Sequence, residues 1–323
     1  MKQVATPMID SFRRQGATVF SYIILAILVI VNASIQNTFF SSFNLTSLLN
    51  NSLVLILVSM GQLFVVLTAG IDLSVGSIIS LTNTFLATHL IGGTTEQIGV
   101  IVFALAMATI AGLVNGALIH YLNLQPILVT LATMSIYAGV ALVFLPVPGG
   151  NVPTGLSGAL TGQFIDVPVS FWVIVLLLAF WLWFRRTNVH LHILSLGSDE
   201  TAALMNGIIP AVVRPLTYGL SGLFSGLAAL FITAQTTSGD PNLGASYTLL
   251  SIAAVVIGGA SLLGGRGNVW GVVSGSIILS IIGGLIYFAG ISSFYQDLIQ
   301  GLILLTAVAI SSFRWSRSRR PLT

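Results

Sequence analysis

The residue in this sequence best suited to do chemistry is Asp72, in the stretch GIDLSVGS, because long apolar runs lie on both sides of it. An ionisable side chain in such surroundings is costly and needs a partner. As the N-cap of the next helix, the carboxylate would accept the backbone N–H of Ser74 or Val75. As a functional group, it would contact a solute, pair with Arg266 or move with a gate. The two roles are compatible.

Residue sets that perform catalysis are missing from the sequence. The only lysine is Lys2, so the glycine-rich loop that binds phosphate through a lysine is absent. There is no cysteine, and the histidines lack zinc-site spacing. We expect His190 and His192 to be solvated or to face phosphate groups. We expect no enzyme activity, cofactor or metal on this chain, and any ATP that drives it would bind to another subunit.

The composition places the chain in a lipid bilayer. Hydrophobic residues make up 55% of the 323 positions, charged residues only 6%, and the mean hydropathy is +1.02. Such a chain has too little polar surface to coat a soluble globule. Its eleven basic residues are dispersed between apolar runs, so they form no stripe that would bind nucleic acid.

Apolar segments of about 20 residues, the length that crosses about 30 Å of hydrocarbon, recur along the chain. They predict an all-α, polytopic membrane protein with about ten transmembrane or re-entrant helices. The predicted segments are 18–35, 53–70, 73–92, 97–119, 123–146, 169–184, 216–234, 248–264, 267–290 and 294–313. The transmembrane domain would therefore span 18–313, between an N-terminal tail at 1–17 and a basic tail at 314–323.

The basic residues predict the orientation of these segments. With the N-terminus in the cytoplasm, all eleven Lys and Arg residues fall on cytoplasmic segments: both tails, the loop 185–215 and a short turn at Arg266. The positive-inside rule is then obeyed throughout, and we expect both termini to be cytoplasmic. We expect the first segment to be an uncleaved span, because it lacks a convincing small-residue cleavage site.

Two joints between apolar segments are too short for ordinary loops. They are TAGIDLSVGS, at 68–77, and GGASLLGGRGNVWG, at 258–271. Irregular backbone at membrane depth must be buried in protein or line a water-filled path. The residues VVLTAGIDL, from Val65, and VVIGGASLL, from Val255, echo each other, which is compatible with an internal duplication.

Polar residues in the spans would suit a hydroxyl-rich solute, although hydrogen bonding between helices is their usual use. We expect five residues to belong to a translocation path or gate: Asp72, Ser74, Gln62, Asn83 and Arg266. Glycine pairs four residues apart favour close packing of helices. Examples are Gly112 with Gly116, and Gly222 with Gly226.

The cytoplasmic loop 185–215 contains LGSDETAALMNGI, at 196–208, whose pattern predicts one short helix. Ser198 or Asp199 would cap this helix, Glu200 lies in its first turn, and Gly207 would end it. A polar helix between two spans would dock on another protein or lie on the lipid surface.

Four motifs in this order resemble those of the permease subunits of bacterial ABC importers for simple sugars. The motifs are GQLFVVLTAGIDLSVGSI, LGSDETAALMNGI, SIAAVVIGGASLLGGRGNVWGVVSGSIIL and ISSFYQDLIQGLILLTAVAI. The family includes the ribose, galactose, xylose and autoinducer-2 uptake systems, and the resemblance covers about residues 35–312. It implies a multi-pass protein of the bacterial inner membrane with three kinds of partner: an ATP-binding cassette ATPase that holds ATP and Mg²⁺, a periplasmic sugar-binding protein and a second permease subunit.

The resemblance also implies that the cytoplasmic helix is a coupling helix, which docks into a groove of the ATPase. By this resemblance, the residues expected to couple the chain to the ATPase are Gly197, Asp199, Glu200, Ala202, Ala203, Gly207 and Ile208. The sequence departs from the family pattern at His190–Leu191 (usually Gly-Arg), at Asp199 (usually Asn) and at Gly283–Gly284 (usually Asn-Gly). These departures leave open whether the second permease is an identical or a different chain.

Two other classes of protein share the hydropathy pattern. A secondary transporter or facilitator of a small polar solute would work without an ATPase, but would typically bury carboxylates or an Asp/His relay for its coupling ion. Only Asp72 and Asp297 are available for that purpose. A membrane scaffold would use the cytoplasmic helix as a docking site and transport nothing.

Overall fold

The computed structural model describes residues 6–290 and, beyond them, only positions 295, 298, 299, 301, 302, 305 and 306. The described part is mostly helical. Its helices are α1 Thr6–Ile35, α2 Ser42–Leu67, α3 Val75–His89, α4 Thr94–Tyr121, α5 Pro126–Phe144, α6 Thr154–Thr161, α7 Val169–Phe184, α8 Asn188–Ser198, α9 Glu200–Met205, α10 Pro210–Thr236, α11 Ala245–Ile257 and α12 Val269–Phe288. The prediction of an all-α polytopic membrane protein is confirmed.

The predicted number of spans is only partly supported. Within the described residues, six helices are long and apolar enough to cross a membrane: α1, α2, α4, α5, α10 and α12. A seventh span exists only if α7 and α8, bent by 78° at their joint, count as one. Two other predicted spans are the short helices α3 and α11, of 15 and 13 residues. At about 1.5 Å per residue, neither covers about 30 Å of hydrocarbon. Most of the predicted segment 294–313, including Asp297, and the tail 314–323 lie outside the described residues.

The first predicted segment, 18–35, has the bounds of the membrane-span candidate in the structure, Thr18–Ile35. Helix α1 itself begins earlier, at Thr6. The cytoplasmic loop was predicted to reach 215, but α10 already begins at Pro210. A proline is tolerated in the first turn of a helix, because the N–H that it lacks would have no partner there. Hydropathy does not detect the start of α1, because its first turns contain polar and charged residues.

The segment 146–168 contains the only strands in the described part of the chain. Helix α6 is followed by an antiparallel pair, β1 Gln163–Phe164 and β2 Val167–Pro168. The turn residues between them, Ile165 and Asp166, have φ of 54° and 56°. Positive φ at both central residues is typical of the tight turn that matches the twist of paired strands.

Helix α2 forms the centre of the bundle. All its residues from 52 to 67 are buried, and α7, α10, α11 and α12 pack around it. A helix that is apolar on all sides needs such complete coverage. The outer helices α4 and α5 expose apolar side chains instead, among them Val102, Leu128 and Ile136, and these suit a lipid environment.

Helices α4 and α10 approach each other through glycines. A Cβ at Gly112 would overlap the Tyr218 carbonyl, and one at Gly222 would overlap the Ala108 carbonyl. At Gly116 it would lie 2.9 Å from the carbonyl oxygen of Arg214. The predicted packing role of these glycines is confirmed, because only small residues allow helix backbones this close.

Gly222→Val tests this contact. We expect the variant to lose about 3 kcal/mol of stability, because the blocking atoms are backbone and cannot rotate away. The matched control is Gly139→Val in α5, where a Cβ would meet no atom within 4 Å. Thermal unfolding of both variants in detergent, followed by tryptophan fluorescence, measures the difference. Equal melting temperatures would contradict the packing role.

Candidate functional site

The first break lies where α2 stops. Beyond Leu67, the Ala69 N–H donates to the Val66 carbonyl at 3.0 Å, and the Gly70 N–H donates to the Val65 carbonyl at 3.1 Å. Ala69 has φ of 61°. This pair of bonds around a left-handed residue is the Schellman helix end, which satisfies carbonyls that the helix leaves free. For an alanine this conformation costs about 1–2 kcal/mol, so the surroundings must enforce it.

The second break, after α11, repeats the first. The Gly259 N–H donates to Val256 at 2.9 Å, the Ala260 N–H donates to Val255 at 3.1 Å, and Gly259 has φ of 88°. The residues correspond one by one to those of the first break, in the register of the sequence echo. The structural match supports an internal duplication.

The two breaks meet each other and the end of α8. The Gly265 N–H donates to the Leu67 carbonyl at 2.9 Å, which joins the second break to the first. A Cβ at Gly197, in the last turn of α8, would overlap that same carbonyl, and a Cβ at Gly264 would overlap the Gly197 carbonyl. Three chain segments therefore touch backbone to backbone at this point, which we call the glycine junction: Leu67, Gly197, Gly264 and Gly265.

Asp72 lies between the first break and α3, fully buried. One carboxylate oxygen accepts the Ser74 N–H at 2.9 Å and the Ser74 hydroxyl at 2.6 Å, and the other accepts the Ser221 hydroxyl at 2.9 Å. The predicted bond to Ser74 is confirmed, but Asp72 is not the N-cap. Ser74 occupies that position, since α3 begins at Val75, so the carboxylate forms a turn just before the cap.

A polar network continues from Asp72 into three further helices. Gln62 bonds both backbone groups of Asp72, at 3.0 and 3.2 Å, when its amide nitrogen faces the carbonyl. The Asn115 amide donates to the Ser74 hydroxyl at 2.8 Å, and the Tyr137 hydroxyl donates to Asn115 at 3.3 Å. The network thus ties α2, α4, α5 and α10 to the first break.

The suggested pairing of Asp72 with Arg266 is wrong. Arg266 is exposed, whereas the partners of Asp72 are serines, and the only ion pair between described residues joins Arg214 to Glu200. A basic side chain on a surface turn does not reach a carboxylate enclosed by four helices.

The four remaining path candidates, Asp72, Ser74, Gln62 and Asn83, have 0% exposure. Asn83 lies apart from the other three. Its amide donates to the Thr233 hydroxyl at 2.7 Å and accepts the Asp240 N–H at 2.7 Å. Because each candidate is enclosed and hydrogen-bonded, any contact with a solute would require the helices to rearrange. Their role in a path stays a prediction.

The segment that was predicted to be cytoplasmic forms two helices instead of the single one predicted over 196–208. Leu196 and Gly197 lie in the last turn of α8, which ends at Ser198, and Asp199 caps α9 by accepting the Ala202 N–H at 3.0 Å. Gly207 follows α9 with φ of 78°, as expected for a residue that ends a helix. The sequence pattern predicted the cap and the end correctly, because both depend on neighbouring residues.

The candidate coupling residues divide into two groups. Ala203 and Ile208 are buried, and Gly197 lies in the glycine junction, so these three hold the segment on the bundle. The other four candidates are exposed: Asp199, Glu200, Ala202 and Gly207. Only this second group is free to contact a partner in the structure of the single chain.

His190 was expected to be solvated or to face phosphate groups, but its side chain is partly buried against aromatic rings. Its ring packs edge-on against Trp181 and Phe184, with ring centroids 5.1 and 5.7 Å apart. Burial, and then the nearby Arg185, lower the pKa of His190, so the neutral form is favoured. The aromatic contacts stabilise the bend between α7 and α8, and no local pattern in the sequence predicts them.

Sequence reasoning also missed the partner of Asp72 on another helix. Ser221 stands among glycines in α10, where the pattern indicated packing only. Within the described ranges, no three His, Asp or Glu side chains converge where a metal ion would be held.

Replacing Asp72 tests the network. Asp72→Ala leaves two serine hydroxyls and a backbone N–H unpaired, so we expect a loss of about 3 kcal/mol or more. Asp72→Asn keeps an acceptor for Ser74 and should retain most of the stability. Asp240→Ala is the control, because Asp240 is only partly buried and its carboxylate accepts one bond, from the Asn242 N–H. Unfolding temperatures in detergent give the order, and an alanine variant as stable as the asparagine variant would refute this role.

The chain matches, over residues 44–308, the family described as branched-chain amino acid transport system / permease component. It is similar to the ribose import permease protein RbsC of Haemophilus influenzae, with 33% identity over 301 residues that cover 91% of this chain and 92% of that protein. RbsC of Bacillus subtilis is 35% identical over 292 residues, covering 88% and 90%. The galactose/methyl galactoside import permease protein MglC of Salmonella typhimurium is 30% identical over 318 residues, covering 92% and 95%. No solved structure matches the chain.

Proposed function

Because the chain belongs to the family of branched-chain amino acid transport system permease components, we propose that it is the membrane-spanning subunit of an ATP-driven, binding-protein-dependent importer of a monosaccharide or sugar-like solute. The observation that carries this proposal is its similarity to ribose import permeases over about nine-tenths of both chains. As a permease subunit, the chain is not itself an enzyme. ATP and Mg²⁺ would bind to a partner ATPase.

The same proposal assigns the orientation of the bundle. Both termini, and the α8–α9 side, would face the cytoplasm of a bacterial cell, in its inner membrane. All basic residues then lie on the cytoplasmic side, as the positive-inside rule requires. The short helices α3, α7 and α11, with the segment 294–313, would bring the number of membrane helices to about ten, since helices broken at membrane depth need not cross alone.

We propose that α8 and α9 form the coupling element. The exposed face around Asp199 and Ala202 would contact the ATPase, while Gly197 rests on the glycine junction. When the ATPase subunits close on ATP, they would move this element relative to the bundle. Because the junction contains two breaks joined by a hydrogen bond, the displacement would reach both broken helices together.

Two further partners follow from the proposal. A periplasmic sugar-binding protein would dock on the external segment 146–168, whose hairpin and α6 form a structured surface. A second permease subunit would complete the path at an interface between the two. Among the described residues, a Cβ at Gly283 on α12 would meet no atom within 4 Å. That face would therefore allow close helix contact with either an identical or a different chain.

The facilitator alternative has less support. Among the described residues, Asp72 is the only fully buried acid. Its carboxylate accepts three hydrogen bonds, all from neutral donors. A relay for a coupling ion would need further titratable groups beside it.

A pull-down in mild detergent tests the assembly. We expect the tagged chain to retain an ATPase that carries a phosphate-binding loop, and to lose it in Ala202→Arg, since a long charged side chain would block the docking face. Ala159→Arg, at an equally exposed alanine of α6, is the matched control and should retain the ATPase. Mass spectrometry identifies the bound proteins. A chain that purifies alone and still carries sugar into vesicles without ATP would establish the facilitator.

A charge swap tests the role of Glu200. Its carboxylate pairs with Arg214, across the gap between α9 and α10. Glu200→Arg should uncouple ATP hydrolysis from uptake, because two arginines would then repel each other. The double variant Glu200→Arg with Arg214→Glu should regain about half of the uptake or more, since the pair is restored. Uptake and ATPase rates in proteoliposomes separate the outcomes. If the double variant stays uncoupled, Glu200 acts on the ATPase directly and not through Arg214.

A further inference from the structure

A cavity of about 380 Å³ lies between the first break and the coupling element. Its floor is formed by residues 68–70 and its roof by residues 196–200. The ends of α4 and α5 and the first turns of α10 close the sides. This volume falls in the range of small-molecule sites. The cavity opens at the end of the bundle where α8 and α9 lie, and none of the five path candidates lines it.

The Tyr218 hydroxyl at this cavity has no hydrogen-bond partner among the described residues, although the side chain is only 1% exposed. Both Tyr218 and Gly70 line the cavity. The hydroxyl approaches the floor closely, since a Cβ at Gly70 would lie 2.5 Å from it. Leaving a buried hydroxyl unpaired is costly in general. The hydroxyl oxygen is enclosed beside Gly70, so a ligand in the cavity would supply the missing partner after a small shift of the chain at Gly70.

The charges around the cavity select the class of ligand. Arg214 already pairs with Glu200, and Asp199 adds a second carboxylate, so the lining carries more negative than positive charge. An anion such as phosphate would be repelled. The remaining groups, a phenol hydroxyl, a serine hydroxyl and the Asn123 amide, offer both donors and acceptors. This combination suits an uncharged solute with several hydroxyl groups.

We propose that this cavity is a cytoplasmic binding site for a neutral monosaccharide, separate from the translocation path. The choice of sugar as the occupant rests on the proposed function, whereas the cavity and its unpaired hydroxyl do not. An occupant touches the floor at the first break and the roof at Gly197, so it resists their separation. Sugar that accumulates in the cytoplasm therefore slows its own import.

Single-cysteine labelling measures occupancy, because the natural chain has no cysteine. Leu124→Cys introduces a thiol at an exposed residue of the cavity wall, and Leu204→Cys introduces one on α9, at an exposed residue outside the lining. The full-length chain in lipid nanodiscs, without partners, is labelled with a membrane-impermeant maleimide. The probes are D-ribose, D-galactose and D-allose, with sodium phosphate and sodium chloride as anion and cation controls.

We expect at least one sugar to slow labelling of Leu124→Cys and to leave Leu204→Cys unchanged. With a dissociation constant of about 1 mM, sugar at about 10 mM would slow labelling about tenfold. Adding Tyr218→Phe should raise the half-protecting concentration about fivefold, the factor that one neutral hydrogen bond contributes. This variant should fold at least as well as the parent, because it removes a hydroxyl without a protein partner. Its unfolding temperature verifies that.

Three outcomes would overturn the proposal: labelling unaffected by all three sugars, protection by either salt instead, or protection that Tyr218→Phe does not weaken. Because no ATPase is present, these outcomes are independent of the pull-down. A chain that binds sugar here but retains no ATPase would refute the importer and support the cavity as a sugar site. A chain that retains the ATPase but binds no sugar here would refute the sugar site and support the importer.

Discussion

A hydrogen bond from the Gly265 amide to the Leu67 carbonyl joins the two helix breaks, and the end of α8 packs on that same carbonyl. A helix that stops inside a bundle leaves carbonyls which must find donors away from water. At each break, two of these carbonyls accept the N–H groups of the Schellman helix end. At the first break a third carbonyl, that of Leu67, accepts the Gly265 N–H from the second break. Glycines at 197, 264 and 265 are required because three backbones meet there. The element that an ATPase would move is thus in direct contact with both breaks, with no side chain between them to absorb a displacement.

Asp72 holds the other side of the first break. The amides of Ala69 and Gly70 close the end of α2, and the carboxylate then organises the start of α3 through Ser74. Without a cation beside it, this charge depends on hydroxyl and amide donors, and the bond from Ser221 fastens it to α10. Removing one partner of a buried charge costs more than removing a surface pair. The bundle is therefore fixed at the break by hydrogen bonds to a buried carboxylate, whereas α8 and α9 are held by the glycine junction, by buried apolar side chains such as Ala203 and Ile208, and by a partly exposed ion pair.

Local features of this structure could be predicted from the sequence, and long-range features could not. The breaks, the bond from Asp72 to Ser74, the cap at Asp199 and the end at Gly207 all depend on residues a few positions apart. The partner Ser221 lies far along the chain and has no pattern that distinguishes it from a packing serine. The aromatic environment of His190 and the division into α8 and α9 arise from tertiary contacts. Hydropathy detected the segments that contain α3 and α11 but not how short these helices are, because the apolar run continues past each helix end.

The Tyr218 hydroxyl shows how the junction and the cavity are related. A phenylalanine would fill the same space without an unpaired polar atom, whose burial costs about 1–3 kcal/mol. A ligand that pairs with the hydroxyl recovers this free energy on binding, and it does so in contact with both the first break and Gly197. Binding energy realised at that point favours one arrangement of the coupling element over another, because a ligand shifts an equilibrium only by its differential affinity for the two states. The cavity is therefore placed where a small neutral solute can act on the same displacement that an ATPase would impose.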